Sequence, residues 1–151
     1  MSNLVLISSS RNRTGVLAQF GQDSLQGLQH ARILIVDDEW FISMEMKDTL
    51  EDAGCDVIGV AVSADEAVRM AELHQPHLVL MDIRLRGSRD GVDAAMEISR
   101  RFGIRCIFVS AHADAATRER GQGADPLGWL SKPFSGPQLV AAVRNALQDL
   151  R

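Results

Sequence analysis

Residues 32–39 read RILIVDDE, an uninterrupted apolar run that ends in three acidic residues. Three later stretches repeat this design. Residues 78–82 read LVLMD, residues 106–110 read CIFVS, and residues 127–133 read LGWLSKP. A short continuous apolar run is typical of a strand that is buried on both faces, as the strands of a parallel sheet are. Each predicted strand therefore ends next to a side chain with reactive or ligand-forming groups.

These polar side chains are expected to meet. In an open parallel sheet, the carboxyl ends of the strands form the edge at which ligands bind. The residues expected to converge at that edge are Asp37, Asp38, Asp82, Ser110 and Lys132. Such a set suits a divalent cation, a phosphoryl group and a carboxylate nucleophile.

From residue 31 onward, strand-like runs alternate with helical patterns. Helices are predicted over 39–53, 63–74, 92–102, 113–120 and 135–150, and a further strand over 57–62. The alternation predicts an α/β fold, a doubly wound five-stranded parallel sheet of the flavodoxin-like (βα)5 type with helices on both faces. Ser63 and Glu66 form a candidate capping box at the start of the second helix. Gly121 and Gly123 make the helix over 113–120 the least regular.

The bulk composition limits the classes to which the chain can belong. With 151 residues, 46% of them hydrophobic, the chain is sufficient for one domain with its own core. A net charge of -4 gives no electrostatic case for binding nucleic acid or an anionic membrane. No apolar run approaches the roughly 20 residues that span a bilayer, and the start of the chain lacks a basic signal-peptide region. Cys106 is expected to be a buried free thiol, and the protein to be cytoplasmic.

Residues 1–30 fall outside the alternation, so we divide the chain into an N-terminal extension over 1–30 and a domain over 31–151. The extension has two competing interpretations. It is either a mobile tail or an arm that packs on a second subunit, because several large apolar residues seldom stay solvated without a partner. The run Leu4-Val5-Leu6-Ile7 before a Ser-rich loop also resembles a phosphate-binding loop for a flavin, although no glycine-rich phosphate motif is present.

The chain resembles the receiver domain of bacterial two-component response regulators, of the single-domain chemotaxis type, from residue 31 to residue 151. The resemblance rests on the acidic pair Asp37-Asp38, on Asp82, on Ser110-Ala111 and on Lys132-Pro133-Phe134. It implies that Asp82 accepts a phosphoryl group and that Lys132 and Ser110 bind its oxygens. It also implies a cis bond between Lys132 and Pro133.

The resemblance implies a Mg²⁺ site as well, because attack by one anion on another requires a cation nearby. Asp38, Asp82 and the backbone carbonyl of Arg84 are the expected direct ligands, and Asp37 is expected to hold a metal-bound water. No other cofactor is predicted.

Other positions of the resemblance concern switching and dephosphorylation. Ser110 and Trp129 match the hydroxyl and aromatic residues that shift on phosphorylation, although an indole is bulkier than the usual ring. Arg84 and His112 match positions that tune hydrolysis of the acyl phosphate. The loop over 84–91 departs from the family pattern, since it is one residue longer and has Arg86 where proline is common. Its arginines are either solvated or recruit an acidic surface of a kinase.

The predicted function is that of a stand-alone response regulator, because no second domain follows the last predicted helix. It would take its phosphoryl group from a sensor histidine kinase or a histidine phosphotransfer protein, and signal by protein contact or relay the phosphate. It would not be an enzyme beyond its own phosphotransfer and autodephosphorylation. The alternatives are a phosphorylation-independent dimeric scaffold, a phosphohydrolase that uses Asp82, and a flavin binder. Arg84 argues against a dehalogenase-like phosphatase, which needs an acid at that position.

Overall fold

A computed structural model describes residues 27–150 of the chain. From residue 32 onward, strands and helices alternate. The strands are β1 (Arg32–Val36), β2 (Asp56–Ala61), β3 (Leu78–Asp82), β4 (Cys106–Ser110) and β5 (Gly128–Ser131). The helices are α1 (Trp40–Asp52), α2 (Ala64–His74), α3 (Gly91–Phe102), α4 (Ala115–Gly121) and α5 (Gly136–Asp149), with a 3-10 turn over Gln122–Ala124.

The five strands form one parallel sheet in the order β2-β1-β3-β4-β5. In this order the chain winds outward from β1 in both directions, which places helices on both faces. The register aligns Val36 with Met81, and Asp82 with Val109. The structure confirms the predicted doubly wound flavodoxin-like fold.

Alternate residues of each strand enter two separate cores. Leu34, Val79 and Phe108 belong to the core that also holds buried residues of α2 and α3. Ile35, Leu80 and Ile107, with buried residues of α1 and α5, build the core on the other face. The central strands β3 and β4 are buried along their whole length, which explains why their sequences are continuous apolar runs.

The helix boundaries follow local capping signals. Asp90 begins α3 and Ser135 begins α5, each within a reciprocal capping box. The capping box predicted at Ser63 forms only in half. The Ser63 hydroxyl accepts a hydrogen bond from the Glu66 N–H, but the Glu66 carboxylate accepts one from the Val62 N–H. The predicted element bounds are otherwise within one or two residues of those observed.

The packed part of the chain reaches back beyond residue 31. The side chain of Leu28 is fully buried in the core that α1 and α5 share. The His30 N–H donates to the Gly54 carbonyl at 2.8 Å. Leu28 therefore belongs to the folded body. The interpretations as a mobile tail or an arm were made for residues 1–30, of which residues 1–26 lie outside the described residues.

Two further expectations concern the cysteines and the prospect of a membrane-spanning segment. Cys55 and Cys106 are buried free thiols. Burial raises the pKa of Cys55 to about 11, with a contribution from the Asp56 charge, and it raises the pKa of Cys106 to about 12. Both thiols are thus protonated and unreactive at neutral pH.

Among the described helices, none combines the length and apolar composition needed to cross a bilayer.

Candidate functional site

The predicted polar residues converge at the carboxyl edge of the sheet. There they line an open cavity of about 310 Å³. Its lining residues are Asp38, Glu39, Asp82, Arg84, Ser110, Ala111, His112 and Lys132. Asp37 lies beside the cavity, within hydrogen-bond distance of Lys132. The sheet brings these side chains together because β1, β3, β4 and β5 are parallel neighbours that end at the same level.

Asp82, the last residue of β3, is a buried carboxylate with 6% of its surface exposed. Its Oδ2 lies 3.5 Å from Lys132 Nζ. Burial and the nearby charge of Asp37 raise the pKa of Asp82 to about 6, although Lys132 and the Arg84 backbone N–H act in the opposite direction. The structure thus keeps a carboxylate at an energetically unfavourable position where the cavity can admit a substrate.

Lys132 is the cation at the centre of the site. Its Nζ donates to Asp37 Oδ2 at 2.8 Å and lies 3.5 Å from Glu39 Oε1. Burial alone would lower the pKa of Lys132, but its hydrogen bond to Asp37 and the charges of Asp82, Asp37 and Glu39 outweigh burial and raise it. The Lys132-Pro133 bond is cis, as expected. Lys132 is therefore a permanent positive charge between two buried carboxylates.

The two acidic residues after β1 have different surroundings. Asp37 is buried, and its Oδ1 accepts a hydrogen bond from the Glu39 N–H at 2.8 Å. The side chain of Asp38 is 22% exposed and lies 3.6 Å from Arg86 Nε, measured at Oδ2. Adjacent acids of the sequence therefore pair with different cations.

The donor chemistry of this edge fits Mg²⁺. Carboxylate oxygens of Asp37, Glu39 and Asp82 lie within 4.8 Å of one another, and Mg²⁺ prefers oxygen ligands of this kind. Asp38, an expected ligand, lines the same cavity. Glu39 was not among the predicted site residues. Its position directly after the acidic pair, at the start of α1, is the signal that could have identified it.

The two predicted switch residues lie in different settings. The Ser110 hydroxyl donates to the His112 carbonyl at 2.9 Å and accepts from the His112 N–H at 3.1 Å. The indole of Trp129 is half-buried, with its ring centroid 4.6 Å from that of Phe108. The guanidinium carbon of Arg118, in α4, lies 4.7 Å from the centroid of the same indole. Trp129 thus contacts both a neighbouring strand and α4.

The residues predicted to modulate hydrolysis lie at the cavity wall. Arg84 and His112 both line the cavity and are exposed to solvent. The arginines farther along the loop have acidic partners within the chain. Arg89 pairs with Asp65 and Glu97, so it is neither a freely solvated charge nor directed at the site.

Comparison with known proteins identifies the family. Residues 33–144 match the family model described as the response regulator receiver domain, and the chain belongs to this family. Receiver domains are phosphoacceptor modules of two-component signalling rather than classical enzymes, and they bind Mg²⁺ at an acidic pocket.

Similar regulators extend beyond the matched region. The chain is 37% identical over 120 residues to the transcriptional regulatory protein PdtaR of Mycobacterium tuberculosis, which covers 80% of this chain and 58% of that protein. It is 34% identical over 116 residues to the phyllosphere-induced regulator PhyR of Methylorubrum extorquens, covering 76% of this chain and 43% of that protein. The chain therefore spans about half the length of these relatives.

Solved structures give the same fold. The signal receiver domain of a diguanylate cyclase from Desulfovibrio desulfuricans has a TM-score of 0.76 and 31% identity, over 81% of this chain and 97% of that one. The anti-anti-sigma factor PhyR of Bartonella quintana has a TM-score of 0.70 and 27% identity, over 91% of this chain and 54% of that one.

Proposed function

We propose that this receiver accepts a phosphoryl group on Asp82 from a sensor histidine kinase or a histidine phosphotransfer protein, in a Mg²⁺-dependent step. The observation that carries the proposal is the position of Asp82. Its carboxylate is buried, lies 3.5 Å from the Lys132 ammonium and borders a cavity of about 310 Å³. A nucleophile, a fixed cation and room for a phosphoryl group thus occur together.

The chemical step forms one bond and breaks one. A carboxylate oxygen of Asp82 attacks the phosphorus atom of a phosphohistidine, and the bond between phosphorus and the imidazole nitrogen breaks. The electron pair of that bond stays on the nitrogen, and Asp82 becomes an acyl phosphate. Bound Mg²⁺ supplies the positive charge that lets two anionic groups approach each other.

The surrounding side chains have distinct roles in this proposal. Asp38, Asp82 and the Arg84 carbonyl would hold the cation, with Asp37 acting through a water and Glu39 close enough to join the set. Lys132 would bind a phosphate oxygen while remaining close to Asp37. Ser110 would give up its hydrogen bond to the His112 carbonyl in order to donate to the phosphoryl group.

The phosphoryl group would later be removed by hydrolysis of the acyl phosphate. Water attacks phosphorus, the bond to the Asp82 oxygen breaks, and inorganic phosphate leaves. Arg84 and His112 are exposed at the cavity wall, where they would control access of that water. We propose that Arg84 and His112 set the rate of autodephosphorylation.

The output would be contact with another protein or relay of the phosphate, through a receiver that acts as a stand-alone regulator without binding nucleic acid or membrane. Similarity to PhyR, described as an anti-anti-sigma factor, supports a protein target. We also propose an extension over 1–30 and a receiver over 31–151, in which Leu28 of the extension packs in the receiver core and the extension contacts a second copy of the chain.

Intact-protein mass spectrometry tests the proposal. The full chain is incubated with a small-molecule phosphodonor, with and without Mg²⁺. Wild type is expected to gain one phosphoryl group only when Mg²⁺ is present, and Asp82→Asn to gain none. Asp125→Asn is a matched control, because Asp125 is exposed and pairs with Arg105 away from the cavity.

The opposite results have clear meanings. Label on the Asp82→Asn variant would show that another residue is the acceptor. Absence of label on wild type, with rapid-quench sampling to exclude fast hydrolysis, would favour the phosphorylation-independent scaffold.

A further inference from the structure

The loop between β3 and α3 contacts the start of α2 through its backbone at Arg86. Arg86 forms an isolated parallel bridge with Ser63, and the Ser63 side chain caps α2 by accepting from the Glu66 N–H. Gly87 follows with φ +105°, a left-handed conformation that favours glycine. The backbone of Arg86 is therefore anchored, while its side chain is 84% exposed and able to move.

The Arg86 side chain extends to the acidic pair of the site. Its Nε lies 3.6 Å from Asp38 Oδ2. Within residues 27–150, Asp38 forms no ion pair with another basic group. A long contact to an exposed arginine is a weak ion pair, which other cations can replace at low cost.

Asp37 is held in a different way. Its carboxylate is 1% exposed and receives the Lys132 ammonium at 2.8 Å. Replacing Lys132 there would leave a buried charge unpaired, which is strongly unfavourable. Of the two adjacent acids, only Asp38 has a partner that can leave without creating a buried, unpaired charge.

We propose that Arg86 competes with the divalent cation for Asp38, and that cation binding releases the Arg86 side chain. The inference rests on the proposed metal site, in which Asp38 is a ligand. A carboxylate oxygen that faces a guanidinium is less available to Mg²⁺. By linkage, Mg²⁺ weakens the pair between Arg86 and Asp38 by the same factor by which Arg86 weakens Mg²⁺ binding. Arg86 is thus a positioning residue that sets the affinity of the site for its cation.

Calorimetric titration of the full chain with Mg²⁺ tests this competition. We expect Arg86→Met to lower the dissociation constant of Mg²⁺ about two- to fivefold, the range expected for loss of an exposed ion pair. Arg89→Met is the matched control. It removes the same charge from the same loop, but Arg89 pairs with Asp65 and Glu97 rather than with Asp38. The control is expected to have the smaller effect.

A second readout follows the released side chain directly. In wild type, the Arg86 Nε–H signal in ¹H–¹⁵N spectra is identified by its loss in Arg86→Lys. Addition of Mg²⁺ is expected to move that signal toward the position of an unpaired, exposed arginine. A structural role of Arg86 alone would leave the signal in place.

The outcomes separate the inference from the proposed function. If Mg²⁺ binds wild type, Arg86→Met and Arg89→Met equally and the Arg86 signal does not move, the competition is wrong and the metal site stands. If Asp38→Asn binds Mg²⁺ as tightly as wild type, Asp38 is not a ligand, and both the assigned metal site and the inference fail.

Discussion

At the scale of single residues, the buried charge of Asp82 lowers the stability of the folded protein. Asp82 is 6% exposed and lies close to a second buried acid, Asp37. We expect Asp82→Asn to raise the free energy of unfolding in metal-free buffer at pH 7 by about 1–3 kcal/mol, because a shift of one pKa unit corresponds to about 1.4 kcal/mol. Denaturant unfolding measures the change. Asp48→Asn, at an exposed position of α1, is expected to shift stability by less than about 0.5 kcal/mol.

The charge of Asp82 also predicts that the free energy of unfolding depends on pH. The pKa of Asp82 is raised from 3.8 to about 6 in the folded protein, so the folded state binds the proton more tightly than the unfolded state. The Asp82 contribution to the free energy of unfolding is therefore greatest below pH 4 and falls as the pH rises to about 6. Comparing wild type with Asp82→Asn between pH 4 and pH 7 isolates it. A difference that stays constant over this range would contradict the assignment.

Lys132 has the opposite effect on stability. Lys132→Met leaves Asp37 and Asp82 buried without their shared cation, and we expect it to lower the free energy of unfolding at pH 7 by about 3–5 kcal/mol. The loss should shrink near pH 5, where Asp82 is protonated. Adding Asp82→Asn to Lys132→Met should recover part of it. Equal stability of wild type and Lys132→Met would show that this ammonium does not offset the buried charges.

Sequence reasoning predicted that Asp82, Ser110 and Lys132 meet at one edge of the sheet, because each stands at or directly after the end of a recognisable strand. It missed Glu39 as a neighbour of Lys132. It also could not predict that Asp38 pairs with Arg86, since that contact depends on the path of a loop with no regular periodicity. The hydrogen bond between Ser110 and the His112 carbonyl is likewise a matter of rotamer, which the pattern of residue types does not encode.

At the scale of elements, α4 and β5 are joined through Trp129. A Cβ atom at Gly121 would lie 2.8 Å from Trp129 Cη2 and 3.2 Å from Phe108 Cε2. The φ of Gly121 is an ordinary helical -63°, so this glycine provides space rather than an unusual backbone conformation. The sequence pattern ended this helix at residue 120, whereas the structure includes Gly121 in α4. The absence of a side chain at Gly121 leaves room for the indole.

We expect Gly121→Ala to lower the free energy of unfolding by about 1–3 kcal/mol, since a rigid ring cannot yield to an added methyl group. Gly128→Ala is the control, because no atom lies within 4 Å of its added Cβ. In a Trp40→Phe background, fluorescence reports on Trp129 alone, and Gly121→Ala should shift its emission. Trp129→Phe should restore part of the lost stability. No shift and no loss would mean that α4 and the indole move independently.

At the scale of the whole molecule, the boundary of the folded body decides how the extension can be tested. Leu28 is fully buried in the core of α1 and α5, so a deletion of residues 1–30 removes a core side chain together with the extension. We expect that deletion to cost about 2–5 kcal/mol of unfolding free energy, as loss of a buried leucine does, and Leu28→Ala in the full chain to cost a similar amount. Deletion of residues 1–26 should retain the stability of the full chain.

Light scattering on that shorter deletion then tests the proposed contact between two copies of the chain. A lower mass with unchanged stability supports a dimerisation arm, and an unchanged mass contradicts it. Full stability of Leu28→Ala would contradict the place of Leu28 in the core.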